Sequence, residues 1–212
     1  MGTRSTTYVL DEDSHVLVCL YVHYDGYLEG VGKDLAYILT GDKPEIGADF
    51  QDVASTPEGT EVGVLANNGM ECLAASLVKF MKEKPSGVYL YPMPRIHKLD
   101  LYDPQGKTSI VEGLAEHASL NGSDYMYVVY HDKGTRLHNM LCYDLYKGKA
   151  GSGVLYDGAV YKFNAYLEEQ KRKAEAADKQ QPAKPAASLS AFAAPGEFTD
   201  IETIFMPEYE EV

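Results

Sequence analysis

Thr7-Tyr8-Val9-Leu10-Asp11-Glu12-Asp13-Ser14-His15-Val16-Leu17-Val18-Cys19-Leu20-Tyr21-Val22-His23-Tyr24 is the stretch that decides the fold. Thr7 to Leu10 is a short strand, and Asp11 to Ser14 carries turn chemistry. Val16 to Tyr24 is a strand apolar on both faces. Val16, Val18, Leu20 and Val22 share one side, and Leu17, Cys19 and Tyr21 the other. Such a strand sits inside a sheet covered above and below. With its predecessor it forms a hairpin.

Downstream, Asp25-Gly26-Tyr27-Leu28-Glu29-Gly30-Val31-Gly32 breaks the strand and leads into a helix. Val31, Leu35, Ile38 and Leu39 line its inner face, and Gly41 ends it. Residues 42–63 read as a loop, with Pro44, Gly47, Pro57 and Gly59 among several acids. The clearest helix follows. Asn67 or Asn68 is placed to cap it, and Met70, Leu73, Ala74, Leu77, Val78 and Met81 form a complete amphipathic stripe that Pro85 ends.

Gly87 to Tyr91 reads as a strand, closed by Pro92 and Pro94. The next segment suggests a strand near Lys98 to Tyr102 and a short helix from Ile110 to Ala118. Asp124 to Tyr130 and Arg136 to Tyr143 flank a turn at Asp132-Lys133-Gly134 and make a second hairpin. Gly148 to Gly153 reads as a bend. A last helix starts near Gly158 with Val160, Phe163 and Leu167 inward, then turns polar through Gln181. The expected fold class is α+β: a mixed, mainly antiparallel sheet with two to three packed helices and a polar C-terminal helix extension.

The chain of 212 residues divides into an α+β domain over 1–170, a polar helix end and Ala/Pro-rich linker over 171–196, and a tail over 197–212. That tail holds six acids and no Lys or Arg, nearly half of the net charge of −13. Ile201, Ile204, Phe205, Met206 and Tyr209 are interleaved with its acids, which is the composition of a docking motif.

The charge disfavours direct nucleic-acid binding and anionic membrane surfaces, and suits a partner with a basic surface. Tyr is enriched, at 17 against 6 Phe and no Trp, a composition found at contact surfaces and also in ordinary strands. Cys19, Cys72 and Cys142 are widely spaced within apolar runs and read as reduced, buried thiols. No apolar run spans a bilayer and no secretory h-region is present, so the expected location is the cytoplasm.

Candidate ligand-binding residues cluster at one strand-to-helix junction. Gly30 and Gly32 before a helix would let N–H groups approach an anion, with Lys33 assisting. The same glycines also suit a tight turn that needs unusual φ. His23 and Asp25, two apart, would project to one side of the strand end, and Arg4 is a candidate carboxylate or phosphate donor. No nucleophile elbow, metal-ligand spacing or cofactor fingerprint is present, so no catalytic residue, metal or cofactor is expected.

Several of these segments together resemble a group of uncharacterised phage and prophage proteins. They are Met1-Gly2-Thr3-Arg4-Ser5-Thr6, His23-Tyr24-Asp25-Gly26-Tyr27 with Glu29-Gly30, Asn68-Gly69-Met70 with Cys72-Leu73-Ala74-Ala75-Ser76-Leu77-Val78, and Gly87-Val88-Tyr89-Leu90-Tyr91-Pro92. The resemblance implies a viral accessory protein acting in the host cell and carries no assigned activity. Three functions follow as expectations: binding a host or viral protein to inhibit a defence or nucleic-acid enzyme, binding or hydrolysing a nucleotide or other small molecule at residues 25–33, or assembling with other copies or chains as a structural subunit.

Overall fold

The computed structural model describes residues 2–82, 87–91, 104–131, 135–148 and 153–180, and of 104–109, 148 and 178–180 the backbone only. The expected strand at 98–102, the turn at 132–134 and the tail residues Ile201, Ile204, Phe205, Met206 and Tyr209 lie outside them.

Strands β1 (Ser5–Leu10) and β2 (Val16–Val22) form the first hairpin. A π-helical turn, Leu28–Gly32, enters α1 (Lys33–Leu39). Then come β3 (Gln51–Ser55), β4 (Glu61–Leu65), α2 (Met70–Met81) and β5 (Val88–Leu90). The rest is α3 (Pro104–Leu120), β6 (Tyr125–His131), β7 (His138–Asp144), α4 (Leu145–Gly148), β8 (Val154–Ala159) and α5 (Phe163–Gln180).

Six strands make one mixed sheet in the order β5-β2-β1-β6-β7-β8. Among the described strands, β1 and β6 alone run parallel, with Ser5 opposite Tyr125 and Val9 opposite Val129; the other pairs are antiparallel. The expected α+β class is therefore found. At the centre lies β1, buried at all six positions, because helices cover both faces there.

Side-chain alternation divides the core in two. Val9, Tyr127, Val129, Met140 and Cys142 face α1, α2 and α5 in the larger cluster, with Leu35, Leu73, Leu77 and Phe163. Tyr8, Leu10, Cys19, Met126, Val128 and Leu141 face α3, through Ile110, Leu114 and Ala118. The simple alternation read along β2 fails at its start. Register shifts between Val9 and Leu10, so Leu17 joins Val18 on the larger cluster and Val16 packs with the α3 cluster. A bulge exchanges faces in this way because side-chain direction has period two.

Several boundaries move for local reasons. Residues 42–63 are not loop throughout: β3 and β4 pair as a hairpin, Gln51 opposite Leu65 and Ser55 opposite Glu61. Their cores are polar or small and bury only Ala54, Val64 and Leu65, so period-two hydrophobicity is faint. The N-cap of α2 is Gly69 at φ +93, with no side-chain cap; Asn67 instead donates from Nδ2 to the Leu65 carbonyl at 2.9 Å. Phe80 is buried along that helix. Cys72 is exposed on its outer face, against the expectation of three buried thiols, while Cys19 and Cys142 are buried and all three are free.

Helix α3 is longer than its apolar stripe. It starts at Pro104, where a ring with no N–H costs nothing. It stops at a Schellman motif, in which Gly122 at φ +72 lets Ser123 N–H reach the Ala118 carbonyl at 3.1 Å. Gly41 closes α1 in the same way at φ +75, as its sequence position indicates. Strand β8 occupies 154–159, ahead of the helix expected from Gly158, which begins at Phe163. Val160 and Phe163 are inward, as read.

Candidate protein-docking face

The sequence-predicted residues gather at one end of the sheet. His23 and Asp25 follow β2, Arg4 precedes β1, and the junction glycines lie beside them. Asp25 has φ +56, so the extended alternation that would put it beside His23 ends there. Its carbonyl accepts from Val31 N–H at 2.9 Å, while Gly30 and Gly32 N–H both point to the Tyr27 carbonyl, at 3.1 and 3.4 Å. The Gly30, Val31 and Gly32 amides are thus satisfied inside the turn.

Space explains the glycines. A Cβ on Gly30 would stand 2.0 Å from the Asp25 carbonyl oxygen, and one on Gly32 would meet Phe163 at 3.1 Å and Tyr127 at 3.2 Å. Tyr127 is fully buried below and donates its hydroxyl proton to the Gly26 carbonyl at 2.8 Å. Lys33 turns outward, its ammonium 5.4 Å from the centre of the Tyr37 ring. The Arg4 backbone lies against Gly26, and Asp124 engages the residue: its Oδ2 accepts the Arg4 backbone N–H at 2.8 Å and lies 3.9 Å from Nε. Asp25 and Glu29 stand close enough to the Tyr27 hydroxyl to push its pKa up, Asp25 contributing most.

A different group of side chains lies open beside this junction. On the α3 side of the sheet, toward its β5 edge, Tyr21 stands opposite Tyr89, with ring centres 6.4 Å apart; Tyr91 is 5.4 Å from Tyr21. His23 continues the row, 6.1 Å from Tyr21 and in edge-to-face contact with Tyr24 at 4.5 Å. Tyr24 is 58% exposed, Tyr89 46% and Tyr91 36%. Large apolar surfaces held together in water are the signature of a contact site. Tyr21, read from sequence as covered, is only partly buried.

Among the described residues, the adjoining edge has no strand partner either. Hydrogen bonds from His23 N–H to the Gly87 carbonyl and from Tyr91 N–H to the Cys19 carbonyl, both 2.9 Å, bracket the Tyr21–Tyr89 pair. Antiparallel geometry then turns the N–H and C=O of Val88 and Leu90 away from β2. Lys82 donates to the Val88 carbonyl, and its ammonium lies 5.1 Å from the Tyr89 ring centre. Among the described residues, no strand pairs with that outer edge.

At the opposite end of the sheet, His131 and His138 stack with ring centres 4.7 Å apart. His138 is buried, and its Nε2 lies 3.3 Å from the Leu65 carbonyl and 3.4 Å from Asn67 Nδ2. Its Nδ1 shares a hydrogen bond of 2.8 Å with His131 Nε2. Burial, and secondarily His131, lower the His138 pKa to about 4. His131 thus pairs with His138 at the far end of β6, away from His23. Among the described residues, no three His, Cys, Asp or Glu side chains are grouped to hold a metal ion, and no helix is long and apolar enough to cross a membrane.

The row of rings is faintly written in the sequence. Tyr21 and His23, and Tyr89 and Tyr91, are period-two pairs on neighbouring strands, and the excess of Tyr is the only other signal. Comparison with protein-family models, curated proteins and solved structures finds no match to the chain.

Proposed function

We propose that this chain is a phage-encoded accessory protein that acts in the host cytoplasm by binding another protein, host or viral, through the Tyr21–Tyr89–Tyr91 face and the adjoining β5 edge. The observation that carries the proposal is the contiguous, half-exposed row of rings beside a strand whose outer backbone groups are unpaired by any described strand. Rigid aromatic rings supply large contact area at low entropic cost, and an open edge supplies directional hydrogen bonds. The net charge of −13, with Asp25 and Glu29 beside Tyr27, favours a partner presenting Lys and Arg. Inhibition of a defence or nucleic-acid enzyme is the consequence such a partner suggests.

Binding of a nucleotide at residues 25–33 is less well supported, since the Gly30, Val31 and Gly32 amides already have carbonyl partners. The test is affinity capture from infected-cell lysate with the tagged full chain, read by mass spectrometry. A Tyr89→Ser/Tyr91→Ser variant and a chain lacking residues 182–212 are run beside it. Loss of one partner with the tyrosine variant supports the face. An unchanged set of captured proteins in that variant removes it.

A further inference from the structure

The same side of the sheet carries a second surface, across α3 from the tyrosine row. A groove of about 310 Å³ runs between α3 and the β7–α4 corner. Ala115, Ser119 and Leu120 of α3 line one wall, and Tyr143 and Leu145 the other. Leu120, at the helix end, is 80% exposed. The two charges on the groove are Glu112 and Glu116, one helical turn apart. Both are exposed, and neither has an ion-pair partner among the described residues. Like charges at this spacing disfavour a helix in isolation, and a cation laid across both would reverse that. The nearby Lys147 is occupied by Asp144, at 3.7 Å.

We infer that this groove is a docking site for a basic amphipathic helix of a partner protein. From Glu112 to Leu120 the groove follows about two turns of α3, a span that accepts two apolar anchors at i and i+4 of an incoming helix. Those anchors would enter between Ala115 and Tyr143, while Lys or Arg on the flank of the incoming helix would meet Glu112 and Glu116. The apolar lining supplies affinity, and the carboxylates select sign and register. This site does not depend on the tyrosine face.

The test uses the ¹⁵N-labelled full chain and a synthetic Leu/Lys peptide of about 14 residues patterned as an amphipathic helix, with a scrambled isomer as control. The expected result is chemical-shift change confined to residues 110–120 and the 143–145 corner. Glu112→Lys/Glu116→Lys should weaken binding by at least about tenfold. Glu45→Lys/Asp49→Lys, two exposed acids elsewhere with the same change in net charge, should leave it unchanged. Equal binding of the scrambled peptide, equal loss in the Glu45/Asp49 variant, or shifts elsewhere would overturn the inference. So would dimerisation of the chain that Glu112→Lys/Glu116→Lys abolishes, since the occupant would then be a second copy. Tyr89→Ser/Tyr91→Ser should retain the peptide, so failure of either surface can be read separately.

Discussion

The Tyr8 hydroxyl lies 2.7 Å from Nδ1 of His117, joining the fully buried central strand to helix α3. Burial raises the phenol pKa, with Cys19 adding to it, so Tyr8 stays neutral. Burial also lowers the His117 pKa, so its imidazole stays an acceptor. The Leu114 carbonyl is a second, longer contact at 3.3 Å. Replacing Tyr8 by Phe keeps the ring packing and removes the hydroxyl. Stability should fall by about 1–2 kcal/mol, measured by urea unfolding at neutral pH. An unchanged midpoint would mean that α3 is held by Ile110, Leu114 and Ala118 alone.

Thiol chemistry should separate the three cysteines. Burial pushes the Cys19 thiol up to about 12, partly offset by Tyr8, and raises Cys142 well above the usual thiol range. Cys72 is exposed. An aromatic disulfide reagent added to the native chain should therefore label Cys72 alone, with Cys19 and Cys142 reacting only after denaturation. Rapid native labelling at more than one site would contradict the core described above.

His138 should make the fold acid-sensitive over a defined window. Its folded pKa of about 4 lies below the ordinary imidazole value, so between those values the unfolded chain binds the proton more readily. Stability should be lost as pH falls from about 6.5 toward 4, by about 3 kcal/mol from this group. His138→Phe should flatten that part of the pH profile of unfolding free energy even if it lowers stability at neutral pH. A wild-type slope in the variant would place the acid sensitivity in other groups.

Gly30 and Gly47 make a matched pair. A methyl group at Gly30 would overlap the Asp25 carbonyl oxygen at 2.0 Å, whereas nothing lies within 4 Å of one at Gly47. Gly30→Ala should cost about 2–4 kcal/mol, and Gly47→Ala should be neutral or stabilising by under about 1 kcal/mol. Thermal unfolding of the two variants decides it, and equal midpoints would show that the junction has slack.

The tyrosine face illustrates why the candidate site was only partly legible. Glycines at 30 and 32 mark an unusual backbone, and the structure indeed puts a π-helical turn there. A glycine that admits a ligand and one that admits the Asp25 carbonyl look the same in a sequence, however. Tyr21, Tyr89 and Tyr91 were visible as strand residues. Their exposure among the described residues follows from α3 lying over β1 and β6 rather than over β5, which no local pattern records.

What the sequence determined by itself were the features carried by short-range periodicity and backbone chemistry. The β1–β2 and β6–β7 hairpins, the apolar stripe of α2 and the glycine stop at Gly41 each follow from residues within a few positions of one another. The tertiary structure alone decided that β1 lies beside β6, since a parallel pair needs a long crossover and leaves no mark at either strand. It alone decided that the polar 42–63 segment contains a hairpin, closed by packing Ala54 and Val64 against Leu137. Which tyrosines stay in water was settled in the same way, because burial depends on what the rest of the chain places overhead.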